Sequence, residues 1–255
     1  MSPPSEIKLR HIVPSVVTAF AICAGMTSLR MSLEGHIESA LYFILIAVFL
    51  DAADGKLARF LDSASPFGAE LDTLADFFNF GIVPGVLLYN TLYIGTELSS
   101  LGFLATLVLA VCCALRLARF NLSVKNADVT LKKDDHFVGV PAPALACLAL
   151  MPIYMHLAGF DETDWPFLRA AYIIGVGLLA VSTIPTFSIK HASIKRAHLP
   201  LVIVAAMVLV ACLMVYPWPT LIIGNCLYLA SLPFSYRAQK KHARASGSSG
   251  PQSSD

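Results

Sequence analysis

An all-α, polytopic bundle of membrane helices is the fold class that this 255-residue sequence predicts. Three observations predict it. Hydrophobic residues make up 56% of the chain and charged residues only 14%, where a soluble domain carries roughly 25% charge. Mean hydropathy is +0.70. The apolar residues are also gathered into runs close to the ~20 residues a helix needs to cross hydrocarbon.

About eight such runs follow one another. The first, 12–32, comes after Lys8 and Arg10 as a secretory signal would. No clean small-residue cleavage site follows it and seven more runs do, so it reads as a retained helix. The second, 38–53, is short and closes on Asp51 and Asp54. The third, 72–95, opens on Asp72 and Asp76, and the fourth, 100–118, closes on Arg116. The fifth and sixth, 141–158 and 167–186, flank the acidic run Asp161, Glu162, Asp164. The seventh and eighth, 199–216 and 218–235, are parted only by Tyr216-Pro217-Trp218-Pro219, a turn with an interfacial tryptophan. If that last hairpin is re-entrant, six spans remain. Residues 187–198 form either a short interfacial helix or a loop.

These runs make one domain, 1–236, with no repeat at a fixed period. Residues 237–255 turn basic and then Ser/Gly-rich, which predicts a disordered tail whose basic part rests on anionic headgroups. With a cytosolic N-terminus and eight spans, 16 of the 18 Lys and Arg residues fall on the cytosolic side, with only Arg30 and Arg169 opposite. The positive-inside rule therefore puts both termini and the Asp51–Asp76 loop in the cytosol of a bacterial-type inner or plasma membrane. The net charge of +1 gives no reason to expect a nucleic-acid partner. The six cysteines lie within apolar runs, without metal-ligand spacing, and read as small core hydrophobes.

The chemistry sits in Asp51-x2-Asp54-Gly55-x2-Ala58-Arg59-x8-Gly68-x3-Asp72-x3-Asp76. Spacings of three and four put Asp51 with Asp54, and Asp72 with Asp76, on single helix faces. A short connection lets all four acids converge. Carboxylates crowded in this way repel one another unless cations neutralise them. An all-oxygen ligand set suits a hard divalent ion, Mg2+ or Mn2+, two of them by ligand count. Such a site points to metal-assisted transfer of a phosphorus group at a bilayer. Asp72 and Asp76, at a helix start, are expected to gain from the helix dipole, whereas Asp51 and Asp54, at a helix end, lean on the metal. Gly55 would allow close backbone approach and Ala58 leaves room one turn on. Arg59 suits a diphosphate, and Gly68 is expected to set the turn into the third run.

The whole pattern resembles the signature of the CDP-alcohol phosphotransferases. Three flanking segments are similar to the phosphatidylserine synthase branch: Phe67–Asp76 followed by Asn79–Pro84, Ala114–Asn121, and Gly139–Ala144. The similarity spans roughly 10–155, and beyond it the chain matches only as apolar helices. Two departures are Ser15, where the family commonly has Asn after the proline, and Asn79, where Ser is also common in this branch. Ser15 weakens any role for the first run.

What the resemblance implies is specific. Asp51, Asp54, Asp72 and Asp76 would ligate Mg2+ or Mn2+, and Asp76 would also be the general base. Gly55, Ala58, Arg59 and Gly68 would cradle the CDP part of the donor. The substrates would be CDP-diacylglycerol and L-serine among membrane lipids, the products phosphatidylserine and CMP, and a homodimer is common in such families. Arg116 and Arg119, three apart near the cytosolic end of the fourth run, would suit the serine carboxylate or the lipid phosphate; headgroup anchoring is the plainer alternative. Asn121, Lys125, Lys132 and Lys133 read as loop residues and His136 as a solvated one. Another small acceptor, such as glycerol phosphate or inositol phosphate, is the nearest rival. A divalent-cation transporter is remote, because transport gives no reason for Gly55, Ala58 and Arg59.

Overall fold

A computed structural model describes residues 9–63, 65–127, 140–160, 165–182 and 199–247. Every regular element among them is helical. The first two form a hairpin, α1 (Leu9–Leu33) and α2 (Ile37–Phe60). Gly35 turns the chain at φ +81°, with Gly35 N–H donating to Ser32 O and His36 N–H to Met31 O. That pair of bonds satisfies the last carbonyls of α1.

The end of α2 departs from expectation. The helix runs six residues beyond Asp54 and stops when Asp62 adopts φ +46°, with Ser63 N–H donating to Ala58 O. A left-handed aspartate does here what a glycine usually does. Gly55, the residue that looks like a break, is therefore inside the helix.

α3 (Pro66–Phe77) begins at Ser65, whose hydroxyl accepts from Gly68 N–H at 3.0 Å, with Pro66 in the first turn. Gly68 is thus helical and not the turn residue. A five-residue π turn, Phe78–Ile82, joins α3 to α4 (Val83–Leu92), so that Pro66–Leu92 is one apolar stretch of 27 residues. Glycine allows the turn to sit close to α5 (Ser99–Ala127): a Cβ on Gly81 would lie 3.2 Å from Cys113 Cβ.

The fifth run is two helices, α6 (Ala142–Ala149) and α7 (Met151–Leu157). Pro152 lacks the N–H that a continuous helix would use, and the break falls at Leu150. α8 (Pro166–Val181) packs on α5, where Gly177 brings the two backbones close. α9 (Leu199–Val215) rests on α10 (Pro217–Gly247) and is exposed throughout 201–212. The α10 backbone stays helical into the basic segment that sequence alone assigns to the tail.

Within the described residues, each of the eight apolar runs is thus largely helical. Three stretches, Ile12–Leu33, Pro66–Leu92 and Ser99–Ser123, are long and apolar enough to cross a membrane, while α8 and Leu201–Val215 are shorter. α2 has the length, ~36 Å at 1.5 Å per residue, but carries the acids. The buried core runs through Leu41, Ile44, Phe80, Leu87, Leu109, Leu145 and Tyr154. It ties α2, the π turn and α4 to α5, α6 and α7, and so fixes the helices that carry the polar residues.

Candidate active site

On α2, positions 51, 54, 55 and 58 fall on one stripe. On α3, Gly68, Asp72 and Asp76 do the same at spacings of four. The two stripes face each other, and carboxylate oxygens of Asp51, Asp72 and Asp76 all lie within 4.8 Å of one another. Asp54 stands beside this trio, 4% exposed. The convergence is therefore three acids plus one. The dipole argument does not survive: Asp72 is the seventh residue of α3, and the dipole's influence fades within the first turn.

α1 supplies what the sequence did not reveal. Thr18 Oγ1 donates to Asp54 Oδ2 at 2.6 Å and lies 3.1 Å from the Pro14 carbonyl. Pro14, Ser15 and Thr18 then wall a cleft of about 190 Å3, completed by Asp54, Gly55 and Ala58 of α2 and by Gly68, Ala69 and Asp72 of α3. The first run thus has a part in the site despite Ser15. A signal was present, since Pro14-x3-Thr18 sets a hydroxyl one turn beyond a proline on an otherwise apolar face.

The glycines shape this cleft differently. A Cβ on Gly55 would meet nothing within 4 Å, so Gly55 leaves open space beside Asp54. A Cβ on Gly68 would lie 3.0 Å from Ser65 Oγ and 3.6 Å from Ser15 Oγ, so Gly68 lets α1 and the cap of α3 close together. Arg59 is exposed and folds back on its own helix, its Nε donating to Gly55 O at 2.9 Å. It is not among the residues lining the cleft.

The donor set fits a divalent cation. Asp54 Oδ1 and Asp76 Oδ1 are buried without a hydrogen-bond partner among the described residues. One carboxylate oxygen each from Asp51, Asp72 and Asp76 converge within reach of one ion, and every donor is a hard oxygen. Without a positive partner such crowding is strongly unfavourable.

Arg116 and Arg119 part company. Arg116, half-buried on α5, interacts electrostatically with Asp51 and Asp76, and its Nε is buried without a partner among the described residues. Arg119 instead donates to the carbonyls of Val181 and Ser182 at 2.7 and 3.2 Å. It caps the end of α8, where a cation is favoured. Asn121 also differs from expectation: it is helical, and its Nδ2 donates to Thr73 Oγ1 at 3.1 Å, tying α5 to α3 between Asp72 and Asp76. Asn79 is buried in the π turn against Gly25 of α1. Lys132, Lys133, His136 and Gly139 lie outside the described residues, as do 187–198.

The sequence profile of the CDP-alcohol phosphatidyltransferase family matches residues 11–184. The chain belongs to that family. A second profile, CDP-alcohol phosphatidyltransferase 2, matches residues 198–233, so the likeness extends well past 155 and into the last two helices. Among relatives, the chain is 33% identical over 233 residues to the CDP-diacylglycerol–serine O-phosphatidyltransferase of Mycobacterium leprae, covering 90% of this chain and 76% of that one. It is 33% identical over 187 residues to the enzyme of that name from Bacillus subtilis, covering 72% and 94%. The Helicobacter pylori enzyme of that name is 30% identical over 195 residues, covering 75% and 79%. Members of the family generally use divalent metals, and the aspartate cluster is where this chain could hold one.

Proposed function

We propose that this chain is an integral membrane phosphatidyltransferase that makes phosphatidylserine and CMP from CDP-diacylglycerol and L-serine. The observation that carries the reading is the convergence of Asp51, Asp72 and Asp76 beside a cleft walled by Asp54, Gly55, Ala58 and Gly68. The names of its relatives support serine as the acceptor.

In this reading Gly55, Ala58 and Gly68 receive the CDP part of the donor, and Arg59 swings from its own helix onto the diphosphate. Asp51, Asp54, Asp72 and Asp76 would hold the metal, with two ions, Mg2+ or Mn2+, matching the number of ligands. Bound there, divalent cations neutralise the diphosphate charge and make CMP a better leaving group. Thr18 fixes the rotamer of Asp54 through its 2.6 Å bond. Asp76, on the side of Arg116, takes the proton from the serine hydroxyl as that oxygen attacks the lipid-linked phosphorus. The new P–O bond forms to serine, the P–O bond to CMP breaks, and CMP leaves with that electron pair. Holding donor and acceptor in line supplies much of the rate.

The same reading takes all eight helical runs as spans, with both termini and the site cytosolic, where CDP-linked donors and serine are available. It keeps 1–236 as the catalytic membrane domain and 237–255 as an appended tail. Homodimers are the expected assembly. The test is radiolabel transfer from CDP-diacylglycerol in detergent micelles, offering L-serine, glycerol 3-phosphate or myo-inositol phosphate, each with and without Mg2+ or Mn2+. Metal-dependent CMP release with serine alone is expected. Release with another acceptor instead would keep the chemistry and overturn the acceptor. Silence with every acceptor from folded protein would reopen cation transport.

A further inference from the structure

α8 is apolar along its whole length except at one position: Arg169, in its first turn, is the only charged residue in Pro166–Val181. A lone cation on a membrane helix is costly and calls for a partner. Among the described residues it has none, for Arg169 is in no ion pair and its Nε is buried without a hydrogen-bond partner. Its place is nonetheless fixed. The guanidinium carbon lies 5.5 Å from the centre of the Tyr93 ring, and the Tyr93 hydroxyl donates to Pro166 O at 3.3 Å, so the ring is tied to the start of α8. A guanidinium held over a ring still has N–H donors to offer an anion.

Arg169 lines a cavity of about 470 Å3 between α7 and α8, together with Met151, Met155, Trp165, Leu168 and Tyr172. That volume is in the range of small-ligand sites, and apart from the guanidinium the walls are apolar or aromatic. The break at Pro152 fixes one of them. Pro152 has no N–H for the Leu148 carbonyl, and the Tyr172 hydroxyl of α8 donates to that carbonyl instead, at 2.8 Å. The outer rim is open: Trp165 and Leu168 are 65% and 64% exposed. Trp165 immediately precedes α8, where a tryptophan suits the membrane–water boundary. The aspartates are far away. Arg169 precedes Val181 by 12 residues, ~18 Å along α8 at 1.5 Å per residue. At Val181 Arg119 fastens α8 to α5, and Asn121 fastens α5 to the aspartate helix α3.

We propose that this cavity binds one anionic phospholipid from the leaflet opposite the aspartates, with its phosphate on Arg169 and an acyl chain against Met151, Met155 and Leu168. Charge and shape select the ligand together. A small free anion would leave the apolar walls without an occupant, and an uncharged lipid would leave the cation without one. Basic pockets between membrane helices suit such headgroups. The site is separate from phosphatidyl transfer and does not depend on which acceptor that reaction uses.

Trp165 makes the test direct, because the chain has only two tryptophans and the other, Trp218, is 7% exposed. Full-length protein in phosphatidylcholine vesicles is titrated with phosphatidylglycerol carrying brominated acyl chains and, in parallel, with brominated phosphatidylcholine, while tryptophan fluorescence is followed. Phosphatidylglycerol should reach half-quenching at a mole fraction about tenfold lower, the size expected for one hydrogen bond to a charged group. Arg169→Gln should abolish that preference and Arg169→Lys should keep part of it. Trp165→Phe should remove the preferential quenching itself. Equal quenching by the two lipids in wild-type protein would overturn the proposal, and is the result expected if Asp161, Glu162 or Asp164 occupies the guanidinium instead. A preference that survives Arg169→Gln belongs to basic residues elsewhere and overturns it too. Should Arg169→Gln fail to fold, Trp165→Phe decides alone, since preferential quenching that persists without Trp165 arises outside this cavity. Loss of the preference in inorganic phosphate, at constant ionic strength, would make the ligand a free anion and sink the lipid assignment.

Discussion

The two ends of the helical bundle treat their polar groups in opposite ways. At the end where α1 turns into α2, nearly every buried polar side chain is matched: Ser28 Oγ donates to Ala40 O, Asn90 Nδ2 to Ser32 O at 2.6 Å, and Tyr93 OH to Pro166 O. At the aspartate end, Asp54, Asp76, Asn79, Arg116 and Tyr228 each keep a buried atom without a partner among the described residues. Thr91 and Arg169 are the described exceptions at the first end. Both ends are made from the same helices and share one core. What differs is that one end spends its polar groups on the fold and the other, in the proposed reading, holds them for a ligand, at a cost in stability.

The sharpest way to break this contrast is Asp76→Asn. The variant removes the proposed base and one carboxylate of the crowded trio, keeping shape and volume. Turnover should fall by at least ~10^2-fold, the low end for general-base catalysis, while CDP-diacylglycerol still binds. The melting temperature should hold or rise, because a repulsion is relieved. Turnover near wild type would remove the base assignment, and a lower melting temperature would show that this end is stabilised by its acids after all.

Thr18→Val tests the seam between the two regimes, since its hydroxyl is a satisfied group that serves an unsatisfied one. Losing the bond to Asp54 should cost about 1.5–3 kcal/mol of positioning, seen as a fall in kcat/KM of tenfold or more. Thr18→Ser should stay close to wild type. Equal activity in Val and Ser variants would reduce Thr18 to packing.

Much of this division is legible in the sequence, for a physical reason. Carboxylates in apolar surroundings are so unfavourable that Asp51, Asp54, Asp72 and Asp76 announce a site by their presence. The helical character of the apolar runs is equally plain, because long apolar stretches with few charges read as membrane helices. Helix ends were harder. α2 closes at Asp62 and not near Gly55, because one left-handed residue satisfied its carbonyls and the chain carries no glycine there. The cap at Ser65-Pro66 was readable and explains why Gly68 is helical. Arg116 and Arg119 could not be told apart by spacing: only the place where α8 ends, at Val181, gives Arg119 its carbonyls and leaves Arg116 Nε unmatched. Thr18 is placed by a local pattern, Pro14-x3-Thr18, but its bond to Asp54, 36 residues on, is a tertiary contact that this pattern does not encode.

At the matched end the expectations reverse. Asn90→Ala removes the side-chain bonds to Ser32, whose carbonyl keeps Gly35 N–H as a donor, and should cost about 1 kcal/mol of stability. Activity per folded molecule should not change, since Asn90 is ~20 Å along the helices from Asp76 at 1.5 Å per residue. A melting curve and a turnover number from the same preparation decide it. A drop in turnover without a drop in stability would mean that this end also serves the ligand.

The smallest effect belongs to Arg30→Ala. Arg30 pairs with Glu34 at 2.8 Å, four residues on and just past the end of α1, with the two side chains 72% and 41% exposed. An exposed pair of this kind contributes less than about 0.5 kcal/mol, and salt weakens it further. The melting temperature should therefore shift little, and less still at high salt. The substitution also removes one of only two basic residues that the proposed topology puts outside the cytosol. Charge asymmetry then grows, so a reporter fused at the C-terminus should remain cytosolic, with less misoriented protein than before. If the reporter moves to the other side, the proposed sidedness is wrong, and the unpaired aspartates face away from the compartment that holds their nucleotide-linked donor.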